Sequence, residues 1–96
     1  MTMTAAITGS TLITRNPSVL FNDFDDGLMM MDIDSGHYFD IDSVGSRIWA
    51  LLESPATLDG ICDALVAEYA VEADTCRGET AEFIEELANK GLVTLR

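Results

Sequence analysis

Two short turns constrain the first half of this 96-residue chain. Asp25-Asp26-Gly27 and Asp34-Ser35-Gly36 separate three apolar runs: VLFNDF at residues 19–24, LMMMDI at 28–33 and HYFDI at 37–41. Runs of five or six residues between Gly-terminated turns read as an antiparallel three-stranded meander. Methionine is a mediocre strand former, and Met29-Met30-Met31 alone would suit a helix. The flanking turns decide for a strand. Residues 12–14 add a candidate short strand before Asn16-Pro17.

Three strands cannot stand alone and must cover one face with other elements. The second half supplies that cover. Val44, Ile48, Leu51 and Leu52 fall at i, i+4, i+7 and i+8, with Asp42 or Ser43 as N-cap and Pro55 beyond the end. Leu58, Ile61, Cys62, Leu65, Val66 and Tyr69 form a second stripe after Thr57, a good N-cap. Cys76, Thr80, Phe83, Ile84 and Leu87 form a third, starting near Ala73. Gly91 suits the left-handed position that ends a helix, with Leu92 placed to contact Leu87. The expected fold is α+β: a three-stranded antiparallel sheet followed by three helices. The domain is expected at residues 19–96, after an N-terminal segment (1–18) that is either partly disordered or a short extra strand.

Charge excludes one class of partner. Seventeen acidic against five basic residues give −12, and the basic residues are scattered. Phosphate backbones are held by clustered Lys and Arg, so no nucleic-acid partner is expected; a basic or neutral peptide is easier to accept. No run approaches the roughly 20 apolar residues of a membrane span, and residues 1–9 lack a basic start and long apolar core. The cytoplasm is the expected compartment. Cys62 and Cys76 have no zinc-type spacing and sit on apolar helix positions, as buried thiols do.

Residues that suggest chemistry have plainer readings. His37 is the only histidine and has no nucleophile or orienting partner in a recognisable pattern. Asp40 and Asp42 share a strand face, yet DFDDG, DIDSG and DIDSVG all fail the calcium-loop pattern. Asp32, Asp34, Asp40 and Asp42 read as solvated strand ends, one of them capping a helix. No metal, cofactor or catalytic residue is expected. Asp42-Ser43-Val44 resembles the attachment site of acyl or peptidyl carrier proteins. Those are four-helix bundles with a long helix before the serine, where this chain has strands.

The last strand, 37–41, is expected at a sheet edge, with unpaired N–H and C=O groups that another chain can complete. Phe39 and Ile41 would point to one face and Tyr38 to the other. An extended peptide could add there as a further strand, in a groove against the third helix.

GHYFDIDSVGSRIWALL (36–52), TLDGICDALVAEYAV (57–71) and FIEELANKGLV (83–93) together resemble, in order and spacing, the PqqD-like family. That resemblance implies a small winged-helix-like domain that recognises precursors of ribosomally made, modified peptides and is not itself an enzyme. It implies a leader peptide bound as an added strand at His37, Tyr38, Phe39 and Asp40. Thr80, Phe83, Ile84 and Leu87 would form pockets, and Arg77 and the nearby acids would set polarity at the rim, with Trp49, Leu51, Leu65 and Phe83 as support. The implied partners are the precursor peptide and a modifying enzyme, either a leader peptidase with a cyclase or a radical-SAM enzyme. The G-x-x-I-W-x-L-L helix is closer to the lasso-peptide type. A strand-swapped homodimer stays open. Gly78-Glu79-Thr80 departs from the family pattern and leaves open a later start for the third helix.

Overall fold

The computed structural model describes residues 7–24 and 27–96. In chain order the elements are β1 (Leu12–Arg15), β2 (Val19–Phe24), β3 (Gly27–Asp32), β4 (Tyr38–Asp42), α1 (Ser43–Leu51), β5 (Ala56–Thr57), α2 (Leu58–Tyr69), α3 (Ala73–Asn89) and β6 (Val93–Leu95). The meander forms an antiparallel sheet in the order β2-β3-β4. Phe21 lies opposite Met30, and Met30 opposite Phe39. The central β3 buries Leu28, Met30 and Asp32 on one face, the period of two that pleating imposes. Asp25 and Asp26 of the first turn lie outside the described residues.

The second turn corrects the expectation for Asp32. Only 7% exposed, it is no solvated strand end. Its carboxylate accepts from the Asp34 N–H at 3.1 Å and the Ser35 hydroxyl at 3.1 Å, and its carbonyl from the Gly36 N–H at 2.8 Å. A buried carboxylate stays in place only if its oxygens are bonded, and here the turn supplies the donors.

A second antiparallel sheet, in the order β5-β1-β6, was not read from the sequence. Its outer strands are two and three residues long, too short for a periodic signal. Its central strand lies in the N-terminal segment and carries the fully buried Ile13. Arg15 ties this sheet to α1: its guanidinium donates to the Trp49 carbonyl and stacks 4.7 Å from the indole and 5.0 Å from the Phe21 ring.

Two helix starts and one helix end follow signals in the local sequence. The Asp42 carboxylate accepts from the Gly45 N–H at 2.8 Å, and the Thr57 hydroxyl from the Gly60 N–H at 3.1 Å, each satisfying an orphan donor of a first turn. At the end of α3, the Gly91 N–H bonds the Ala88 carbonyl and the Leu92 N–H bonds the Leu87 carbonyl. This Schellman ending needs the left-handed φ of +76° that Gly91 adopts, and it buries Leu87 with Leu92. The helix runs unbroken through Gly78, so the departure there does not delay its start. Trp49, Leu52, Leu58, Ile61, Ile84 and Leu87 meet Ile13, Leu28 and Met30 in one core.

Candidate functional site

Among the described residues, the order β2-β3-β4 leaves β4 paired on one side only. The Asp32 N–H donates to the His37 carbonyl at 3.0 Å, so positions 32 and 37 form a hydrogen-bonded pair. In an antiparallel ladder such pairs alternate with non-bonded ones. Continuing the register, Met31–Tyr38 and Met29–Asp40 are non-bonded pairs, and the N–H and C=O groups of Tyr38 and Asp40 point away from β3. These are open positions for an added strand.

The helix α3 stands beside this edge. Tyr38, Phe39, Asp40, Ile41 and Asp42 line a cleft of about 460 Å³ with Phe83, Glu86, Leu87 and Lys90. A second cleft of about 440 Å³ opens on the other side of Phe83, between α1 and the facing ends of α2 and α3. Val44, Ile48, Leu65, Tyr69 and Val71 give it apolar walls. Phe83 and Asp42 line both clefts. Gly45 lets α1 approach here: a Cβ at that position would stand 2.5 Å from Ile41 Cγ2 and 2.9 Å from Phe83 Cζ.

The expected site residues divide into three groups. Tyr38, Phe39, Asp40, Phe83 and Leu87 meet in the first cleft, and Thr80 lines the second. Tyr38 is 66% exposed, on the face away from the core; Phe39 and Ile41 pack inward, as expected from the alternation. His37 is exposed at the strand entrance, with its ring 6.3 Å from that of Phe39. Two residues stand apart. Ile84 is fully buried, because it lies one position, about 100° of helix, from Phe83. Arg77 pairs with Asp59 of α2 and lines neither cleft.

Sequence reading placed acids near Arg77 at the rim but missed Glu86 and Lys90, although Glu79, Phe83, Glu86 and Lys90 recur at i, i+4, i+7 and i+11 along one helix stripe. The periodic signal of that helix comes from Cys76, Thr80, Phe83, Ile84 and Leu87, and charged residues on the adjoining stripe add nothing to it. The second cleft had no local signal, since it is built from three helices that meet only in the folded chain.

Ser43 is exposed at the start of α1, but β4 leads into it where a carrier protein needs a helix. Cys62 and Cys76 are free and buried. Burial pushes the Cys62 thiol up, which disfavours the nucleophilic thiolate. Among the described residues no group of three or more His, Cys, Asp or Glu could hold a metal ion, and no helix is long and apolar enough to cross a membrane.

A family model described as coenzyme PQQ synthesis protein D (PqqD) matches residues 27–93. The chain belongs to the PqqD family. Its match spans β3 and β4 of the meander, all three helices and the start of β6. Among solved structures, TbiB1 in complex with the TbiA(beta) leader peptide is 38% identical to this PqqD-family chain, with a TM-score of 0.78 over 83% of this chain and 93% of that one. Lasso peptide synthetase B1 complexed with the leader peptide is 22% identical, with a TM-score of 0.74 over 85% and 96% of the two chains. The NMR structure of the PqqD truncation of Methylobacterium extorquens PqqCD, described as a functional and stand-alone recognition element, is 16% identical, with a TM-score of 0.78 over 93% and 95%. These two share the PqqD fold. No curated protein matches the chain.

Proposed function

We propose that this chain is a non-catalytic adaptor that binds the leader of a ribosomally made precursor peptide. The leader lies as an added strand along β4, opposite α3, and the chain delivers it to a modifying enzyme such as a leader peptidase or a radical-SAM enzyme. The observation that carries this reading is the open edge of β4, whose Tyr38 and Asp40 backbone groups face a cleft walled by Phe83 and Leu87. The 38%-identical neighbour, described as a leader-peptide complex, supports it.

Backbone pairing would supply sequence-independent affinity, and alternate side chains of the leader would enter the two clefts beside Phe83. Tyr38, Phe39, Phe83 and Leu87 would contact it directly, with Thr80 on the wall of the second cleft. The buried Ile84 would hold α3 in place. Arg77 would fasten α3 to α2 through Asp59.

Titration with the TbiA(beta) leader peptide, followed by amide chemical shifts, tests the placement. His37 to Asp40 and the Glu79–Lys90 stripe of α3 should shift together; shifts clustered elsewhere would remove the site. The double variant Tyr38→Ala, Phe83→Ala should bind at least about 2 kcal/mol more weakly, since a few central anchors carry most of such an interface. Unchanged affinity in a double variant that keeps its circular dichroism would end the groove assignment.

A further inference from the structure

The peptide that fits this groove can be specified further, and the specification rests on the peptide-binding reading above. The two clefts are lined by four carboxylates, Asp40, Asp42, Glu79 and Glu86, and one cation, Lys90. Among the described residues none of those carboxylates is in an ion pair, whereas Arg47 and Arg77 are engaged by Glu68 and Asp59 outside the clefts. Along α3, Glu79 and Glu86 flank Phe83 on the stripe, and Lys90 closes it at the far end. The groove therefore presents apolar pockets bordered by net negative charge.

Strand geometry turns this into a pattern. Side chains of an added strand alternate between the two faces of the sheet. One set lies on the side of Phe39 and Ile41 and meets Phe83 and Leu87. The other lies on the outer face with Tyr38 and Asp40, where laterally paired side chains are close enough to interact. We propose that the groove selects a cationic strand: apolar residues at alternate positions toward Phe83 and Leu87, and Lys or Arg between them beside Asp40. Further basic residues at the ends of the apolar frame reach Glu79 and Glu86. The −12 charge of the whole chain draws the same peptides in and repels acidic ones with the same apolar frame.

Panning a displayed random dodecapeptide library against the full chain tests the proposal. Each enriched peptide is then assayed against the Tyr38→Ala, Phe83→Ala double variant to find those that need the groove. These should carry more Lys and Arg than Asp and Glu, alternating with apolar residues. Their affinity at low salt should fall about tenfold in the triple variant Asp40→Asn, Glu79→Gln, Glu86→Gln, at about two- to fivefold per lateral charge pair. Asp42 is left intact because it caps α1. Replacing the peptide's Lys and Arg by Gln should weaken binding to the unaltered chain and cost clearly less against the triple variant, which keeps Asp42 and most of the chain's negative charge. Structural damage alone would not produce that coupling. Groove-dependent peptides with no excess of positive charge, or with affinity untouched in the triple variant, would overturn the charge inference and leave peptide binding standing. If every enriched peptide bound the double variant as well as the unaltered chain, both would fall.

Discussion

At the scale of single residues, small side chains decide how close the groove walls stand. Gly45 is buried beneath Ile41 and Phe83, and a methyl group there would overlap both. Gly45→Ala is expected to destabilise the fold by about 1–3 kcal/mol, the usual range for overpacking. Its urea midpoint should drop accordingly; an unchanged midpoint would mean that the two side chains yield freely. Two other positions are open to improvement. A Cβ at Gly78 meets nothing within 4 Å, although the residue lies inside α3. Ala70, after α2, holds a left-handed φ of 48° that strains an L side chain. Gly78→Ala should stabilise by about 0.8–1 kcal/mol through helix propensity. Ala70→Gly should add about 0.5–1 kcal/mol, as relief of strain outweighs the entropy of a more flexible unfolded chain. Denaturant midpoints that move down for either would show a contact that this geometry lacks.

At the scale of elements, the junction of β4 with α1 matters most, because one residue serves both. Asp42 ends the edge strand, lines both clefts and caps the helix through the Gly45 N–H. Asp42→Ala should cost about 1 kcal/mol, the typical worth of an N-cap. Asp42→Asn should retain most of it, because asparagine caps about as well as aspartate. If both variants lost equally, charge rather than capping would be the role of this side chain. The ion pair of Arg47 with Glu68 fastens α1 to α2 in two-pronged geometry at 2.9–3.1 Å, and it holds the Glu68 carboxyl below its ordinary range. Exposed pairs contribute little stability, so packing of Leu58, Ile61 and Leu65 against the core remains the main restraint on α2.

At the scale of the molecule, excess negative charge sets both solubility and self-repulsion. With −12 on 96 residues, folding gathers carboxylates that the unfolded chain keeps apart. Added sodium chloride should therefore raise the thermal midpoint as screening shortens the range of repulsion to about 10 Å near 0.1 M. A midpoint that falls with salt would mean that ion pairs outweigh the repulsion. Salt should act in the opposite direction on the binding of a cationic peptide, so the two measurements separate stability from recognition.

The sequence by itself determined the elements whose signals are local. The turn at Gly36, the stripes beginning at Val44, Leu58 and Cys76, the caps at Asp42 and Thr57 and the stop at Gly91 each depend on neighbours within a few residues. The open edge was legible for the same reason, since β4 is the last strand of a meander. Only the tertiary structure decided what depends on residues far apart in the chain. It paired Leu12–Arg15 with strands too short to announce themselves and buried Asp32 beneath the exposed turn that it organises. It drew Arg77 to Asp59, turned Ile84 into the core and opened a second cleft among three helices. A short segment carries its own propensity, but which surface another segment covers is settled only when the whole core packs.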